Sequence, residues 1–192
     1  MFSGIHIGNR PSDHIDIMGT TDQPWLVKES IEFLFNRLDK TKNGFEFGSG
    51  SSTFWFSKFT NKIYSIESDK SWYNTVTNLI SEKEINNINI DIVEVQMMPI
   101  FYSDLEIENL YKIYSDSILK YNFEFDYILI DGVARSLCIR NSLLRLKKGG
   151  LLIIDNAERP AYQEEILKIP DSWIKNEFIC EVDTTIIYEK PH

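Results

Sequence analysis

Several broad classes are excluded by what the chain lacks. Only two cysteines, Cys138 and Cys180, occur in 192 residues, with no short spacing to a second ligand that would suggest a metal or redox motif. Both sit in apolar surroundings, so buried free thiols in a reducing compartment are expected rather than a disulfide. No apolar run approaches the roughly 18 residues that a membrane-crossing helix needs. The start, MFSGIHIGNRPSDH, lacks a basic stretch followed by an apolar block; no signal peptide is expected, and a cytoplasmic location is the default. Basic charge is also short: 20 Lys and Arg stand against 29 Asp and Glu, a formal net charge of −9. That balance argues against broad contact with nucleic acid or an anionic membrane, both of which favour a basic face, and KSWYN and LRLKKGG are too sparse to make one.

What remains is ordinary for a folded protein in water. Hydrophobic residues make up 43% of the chain and charged residues 26%. A length of 192 residues suits a single domain with a full core. Two parts are expected: an N-terminal segment, residues 1–24, and a main domain, residues 25–192. The first 21 residues show little periodicity and several turn formers, among them Asn9, Pro11, Ser12, Asp13 and Gly19. This segment reads either as a frayed tail or as a lid over the site. His6 and His14 lie in it, and no pattern around them assigns a catalytic role.

The most informative stretch is Phe45 to Thr53, FEFGSGSST. A short apolar run carrying Glu46 leads into Gly48-x-Gly50, and a helix-compatible segment, Ser52 to Phe59, follows. That order predicts a strand, a tight glycine turn and a helix N-terminus. Glycine permits positive φ and close approach of a ligand, and the N–H groups at a helix start favour a polar or anionic group. A second strand, Ile63 to Ile66, ends at Glu67, seventeen residues after Gly50. In a nucleotide-binding βαβ unit an acidic residue about 20 positions on accepts hydrogen bonds from ribose hydroxyls.

Further elements follow in alternation. Asp22 and Pro24 read as the cap and first turn of a helix from Trp25 to Leu38, with Ile31, Leu34, Phe35 and Leu38 on one apolar face. Ser71 to Glu84 reads as a helix with Trp72, Val76, Leu79 and Ile80 on its buried face; Trp72 is assigned to core packing, with a place beside an adenine ring as the alternative. Ile88 to Val95 reads as a strand, and Asp104 to Tyr121 as a largely helical connection. Phe125 to Ile130 reads as a buried central strand ending at Asp131-Gly132. Arg135 to Leu146 reads as a helix with Lys147 and Lys148 in its last turn and Gly149-Gly150 ending it. Leu151 to Ile154, ending at Asp155-Asn156, reads as a strand and Pro160 to Lys168 as a short helix. Glu177 to Glu181 and Thr184 to Glu189 read as a closing hairpin. Strands alternating with helices predict a doubly wound α/β sheet whose ligand site lies at the carboxyl ends of the strands.

FEFGSGSST, YSIESD, FDYILIDG and LKKGGLLIIDNAE, in this order and spacing, resemble the motif series of class I S-adenosylmethionine-dependent methyltransferases over about residues 25 to 190. Thr53 stands where the third glycine of the dinucleotide fingerprint would be, which favours the methyl donor over NAD. The resemblance implies a Rossmann-like fold with a mostly parallel seven-stranded sheet and a C-terminal antiparallel hairpin. It implies S-adenosylmethionine as cofactor, with S-adenosylhomocysteine as product. The donor site then comprises Glu46, Gly48, Ser49, Gly50, Ser52, Thr53, Glu67, Ser68 and Asp131, with Glu46 near the donor's amino group and Glu67 on its ribose. Met97 and Met98, in the loop after the third strand, fall where the family often covers adenine.

On the acceptor side, Asp131, Asp155 and Asn156 coincide with positions where catechol- and caffeoyl-CoA-type O-methyltransferases hold a divalent cation, so Mg²⁺ is a candidate cofactor. The bland reading is that Asp131 closes the donor pocket while Asp155 and Asn156 cap the next loop. Those metal-dependent enzymes have a lysine base shortly after the first aspartate; here Arg135 occupies that neighbourhood, and arginine is a poor base. Asp131 and Arg135 are the candidate catalytic residues, Arg135 either gripping an acidic substrate group or forming an ion pair at a helix start. The expectation is methyl transfer to a small-molecule acceptor, to oxygen, with a non-catalytic nucleoside-binding module as the alternative. The acceptor site is expected from residues 1–24, 97–121 and 156–175, and a homo-oligomer is left open.

Overall fold

A computed structural model describes residues 4–7, 23–95 and 104–192, with 4–7 and 104–107 described by their backbone alone. The element order is β1 (Gly4–Ile7), α1 (Lys28–Phe35), β2 (Asn43–Phe47), α2 (Ser51–Phe59), β3 (Lys62–Glu67), α3 (Lys70–Glu82), β4 (Ile88–Ile92), α4 (Asp104–Asp116) with a 3₁₀ turn (Ser117–Lys120), β5 (Phe125–Ile130), α5 (Arg135–Ser142), β6 (Leu146–Ile154), α6 (Pro160–Ile166), β7 (Ile174–Ile179) and β8 (Thr184–Glu189). These strands form one sheet in the order β1-β7-β8-β6-β5-β2-β3-β4. All neighbours run parallel except β8, which is antiparallel to β6 and β7. The seven strands read from the sequence, the closing hairpin among them, are therefore present. An eighth, β1, comes from the N-terminal segment and pairs beyond the hairpin with β7. Four residues are too few to announce a strand by alternation; the exposed edge of β7 supplies the partner.

Period-two alternation along the central strands sorts side chains onto two cores. Ile128, Ile130, Leu152, Ile154, Ile186 and Tyr188 face one side, with Tyr114 of α4, Ile139 of α5 and Ile166 of α6. Tyr127, Leu129, Leu151, Ile153 and Ile187 face the other, with Leu34 of α1, Phe56 of α2 and Val76 of α3. Strands buried on both faces explain the near-continuous apolar runs of β5 and of the second half of β6. β2 pairs with β3 on one side and β5 on the other, so the chain order reverses at β2 and a crevice opens at its carboxyl end.

Several boundaries differ from the sequence reading. The first helix begins at Lys28, not Trp25, because Leu26 and Val27 are buried and the Val27 amide donates to Thr185 Oγ1 at 3.2 Å. Its cap Asp22 lies outside the described residues, and Phe35, expected in the core, is 53% exposed and packs edge-on against Phe59. The helix from Arg135 ends at Ser142, and Lys147 to Gly150 belong to β6. There Leu146 pairs with Phe125, and the register shifts before Leu151 meets Tyr127. The glycine pair thus marks a strand irregularity, with Gly149 at φ +72°, rather than a helix end. α3 and the hairpin strands differ from expectation by a few residues at their ends, and β4 stops at Ile92, three short of Val95.

Candidate functional site: a cleft at the carboxyl ends of β2, β3 and β5

A cleft of about 480 Å³ opens where the chain order reverses, within the roughly 300–1,000 Å³ range of small-ligand sites. Its floor is the Gly48–Ser52 loop. Glu67 and Trp72 form one wall, Asp131, Gly132 and Val133 another, and Trp25 stands at the side. Residues more than 80 positions apart in sequence meet here because β2 hydrogen-bonds to both β3 and β5.

The loop is fixed by a close approach of two backbones. Gly48 has φ +89°, and a Cβ there would lie 2.8 Å from Gly132 N and Cα. A Cβ on Gly132 would lie 2.1 Å from the Tyr114 hydroxyl oxygen and 2.9 Å from Gly48 N. Real Cβ atoms do not approach so closely, so both positions require glycine. Gly50 is different: nothing lies within 4 Å of a Cβ built on it, so that side of the loop is open space. The loop passes into α2 through Gly50 N donating to Thr53 Oγ1 at 2.9 Å.

Glu67 is 5% exposed at the end of β3 and is held from both sides. Ser49 N and Oγ donate to its Oε2 at 2.9 and 2.8 Å, and the amides of Ser68 and Asp69 donate to Oε1 at 2.6 and 2.9 Å. These bonds aim the carboxylate at the cleft while orienting the glycine loop. The Ser68 hydroxyl adds a longer bond to Oε1 at 3.4 Å; the two hydroxyls, unlike the three amides, can rotate away, and the one on Oε2, from Ser49, can release a lone pair to an incoming hydroxyl. Trp72 donates its indole N–H to Ser49 O at 2.7 Å, so it braces the loop and lines the cleft besides packing on the core.

Glu46 and Thr53 lie beneath this floor. Both are fully buried, and neither lines the cleft. Glu46 stands opposite Ser65 in register, and its oxygens accept from Ser52 Oγ, from Thr53 Oγ1 at 2.5 Å and from Ser65 Oγ at 3.1 Å. Burial raises its pKa to about 8; the three hydroxyls oppose the rise without cancelling it, and Asp131 adds a like charge nearby. The carboxyl's titration is thereby moved from the usual carboxylate range toward neutral pH. Its visible link to the cleft is Ser52, which touches both. Ser68 lies beside the cleft, donating its amide to Glu67 rather than lining the wall.

Asp131, Asp155 and Asn156 do come together, around Arg135. This side chain is only 9% exposed, and its guanidinium sits between the ends of β5 and β6. Nε donates to Gly132 O at 2.9 Å; Nη1 donates to Asp155 O at 2.6 Å and Asn156 Oδ1 at 3.1 Å; Nη2 donates to Asp131 O at 2.7 Å and Asp131 Oδ1 at 2.8 Å. A guanidinium has five N–H donors, and five acceptors meet them. Of the two roles read from the sequence, the ion pair at the start of α5 is therefore the one formed. Asp155 is 2% exposed and accepts from Thr185 Oγ1 at 3.1 Å. The expected cation set is thus a cage already filled by Arg135, and these residues do not fit Mg²⁺ as they stand. No group of three or more His, Cys, Asp or Glu able to hold a metal occurs among the described residues.

Trp25, Ser51, Trp72, Gly132 and Val133 are the cleft residues whose place the sequence did not settle. Trp72 carried a signal: it is in the first turn of the helix that follows the ribose-type acidic residue. Trp25 carried none, since its contact with the cleft depends on long-range packing rather than on its neighbours in sequence. Met97 and Met98 lie outside the described residues, as do His14 and the side chain of His6.

No protein-family model matches the chain, and no curated protein is significantly similar to it. Solved structures do share its fold. A methyltransferase-like protein from Silicibacter pomeroyi superposes with a TM-score of 0.67 at 17% identity, over 88% of this chain and 90% of that one. A candidate methyltransferase from Streptococcus mutans, crystallised with SAH, gives 0.61 at 17% identity, over 86% and 99%. An rRNA methylase from Streptococcus thermophilus gives 0.60 at 14% identity, over 85% and 95%. The fold is thus the Rossmann-like α/β fold found in methyltransferases. No helix among the described residues is long and apolar enough to cross a membrane.

Proposed function

We propose that the chain binds S-adenosylmethionine in this cleft and transfers its methyl group to a small-molecule acceptor through an oxygen nucleophile. The observation that carries this reading is the convergence on one cleft of an open glycine loop, a pre-oriented carboxylate and a second acidic strand end, from three adjacent parallel strands. Glu67 takes the ribose hydroxyls, one of them replacing the Ser49 hydroxyl. The Gly48–Ser52 loop takes the methionine end, and Trp72 fixes that loop. Support for the donor's identity comes from the SAH-bound neighbour of like fold.

Methyl transfer asks little covalent chemistry of the protein. The carbon–sulfur bond breaks with its electron pair left on sulfur, the sulfonium becomes a thioether, and the acceptor oxygen bonds the methyl carbon and loses its proton to water. Holding donor and acceptor in line supplies most of the acceleration. Asp131, partly exposed at the cleft, is the group assigned to orient the acceptor hydroxyl and to balance the positive charge that grows on it. One neighbour of like fold is an rRNA methylase; the net charge of −9 supports a small acceptor over RNA.

Donor binding is tested by thermal shift with S-adenosylmethionine, S-adenosylhomocysteine and NAD. At 100 times its Kd a ligand stabilises by ~2.7 kcal/mol, which corresponds to roughly 5–11 °C for a domain of this size. The expected result is a shift with the two adenosyl ligands, none with NAD, and loss of the shift in Glu67→Ala. No shift with either adenosyl ligand at millimolar concentration refutes the proposal.

A further inference from the structure

The polar cluster between β5 and β6 has a feature that donor binding does not require. Arg135 reaches from the first turn of α5 into the gap between two strand ends and exhausts its hydrogen-bonding capacity on them: three backbone carbonyls, the Asp131 carboxylate and the Asn156 amide oxygen. The orientation of Asn156 is fixed by its other side, because its Nδ2 donates to Asp183 Oδ1 at 2.6 Å. Its single side-chain oxygen must then face Arg135, and that oxygen is the one a cation would need. The backbone is bent to make this arrangement. Three non-glycine residues among those described have positive φ, and two of them, Ala134 and Asn156, both at φ +51°, flank the guanidinium. Such conformations are unfavourable for residues other than glycine and persist where the surroundings enforce them. A divalent ion cannot share the gap: it would need, at ~2.0–2.1 Å, the Asp131 and Asn156 side-chain oxygens that Arg135 already holds, and it would face a fixed positive charge.

We infer that Arg135 is a built-in cation that takes the place of a divalent metal between Asp131, Asp155 and Asn156, and that it acts as a positioning residue holding the Asp131 carboxylate at the cleft. The acceptor side then works without a metal, and chelators leave it unaffected. Lysine could supply the charge but not the planar fork that reaches both strand ends.

The test is Mn²⁺ binding to the full chain, followed by electron paramagnetic resonance, in wild type, Arg135→Met, Arg135→Lys and the double variant Arg135→Met with Asp131→Asn. Folding of each is checked by circular dichroism. The wild type is expected to leave millimolar Mn²⁺ free. Arg135→Met should take up one ion per chain, the added Asp131→Asn should abolish that uptake, and Arg135→Lys, with its charge restored, should again reject the ion. A purely structural arginine would not move this readout in that pattern. Stoichiometric Mn²⁺ binding by the wild type overturns the inference, and that arm holds even if the variants fail to fold. A folded Arg135→Met that takes up no Mn²⁺ overturns it as well. The titration reads neither donor binding nor turnover, so its outcome is separate from that of the methyl-donor test.

Discussion

Glu46 offers a direct test of how burial sets charge beneath the cleft. The unfolded chain titrates such a carboxyl at about 4.3, while in the fold it is raised to about 8, chiefly by burial. The folded state therefore holds this proton more tightly than the unfolded state. Glu46 contributes stability that is fully present below the unfolded value and is lost as the pH rises toward about 8. Each pH step inside that window is worth ~1.4 kcal/mol, so between roughly pH 5.5 and pH 8 this one group should cost the wild type about 3 kcal/mol. Every other titrating group also contributes, so the comparison is with Glu46→Gln, which keeps the shape, stays neutral and leaves the remaining groups as they are. Urea unfolding of both proteins at the two pH values measures the difference. With a slope of ~2 kcal/mol per molar, the midpoint of the variant should gain on that of the wild type by on the order of 1.5 M as the pH rises. A gap between wild type and variant that does not change with pH would refute the reasoning. It would mean that the hydroxyls of Ser52, Thr53 and Ser65 outweigh burial and keep Glu46 ionised throughout.

Two further outcomes follow from the cleft. Gly132→Ala places a Cβ 2.1 Å from the Tyr114 hydroxyl oxygen and 2.9 Å from Gly48 N; overpacking of that kind costs ~1–3 kcal/mol. Chemical denaturation should show this loss, and adding Tyr114→Phe should restore part of it by removing the hydroxyl while leaving the backbone clash. Trp72→Phe removes the indole bond to Ser49 O, worth ~1 kcal/mol, so calorimetric titration of S-adenosylhomocysteine should show roughly fivefold weaker binding; unchanged affinity would remove Trp72 from the donor site.

The order of elements was legible because it is written in local patterns. Apolar runs gave β5 and the end of β6, and Gly48-x-Gly50 between a strand and a helix gave the loop. Glu67 was legible because its distance from that loop is set by the length of one helix and one strand. These signals depend on neighbours within about 20 residues, so a single sequence contains them. Boundaries were less well marked: Lys147-Lys148-Gly149-Gly150 reads as a helix end by composition, yet it lies in β6, where pairing of Leu146 with Phe125 overrides the local preference.

Other features were decided only when distant segments met. β1 is a strand because β7 has an edge to offer. Glu46 is buried because α2 folds its hydroxyls over it, and that burial, invisible in FEFGSGSST, determines its charge. Arg135 looked like a missing base beside a metal set; its partners Asp131, Gly132, Asp155 and Asn156 come from the ends of two neighbouring strands. The sequence by itself determined which residue types stand at the strand ends, because the alternation that makes a doubly wound sheet also fixes where its strands stop. Only the tertiary structure decided which of those residues face the cleft and which neutralise one another beneath it, since hydrogen bonding and desolvation depend on distances across the sheet rather than along the chain.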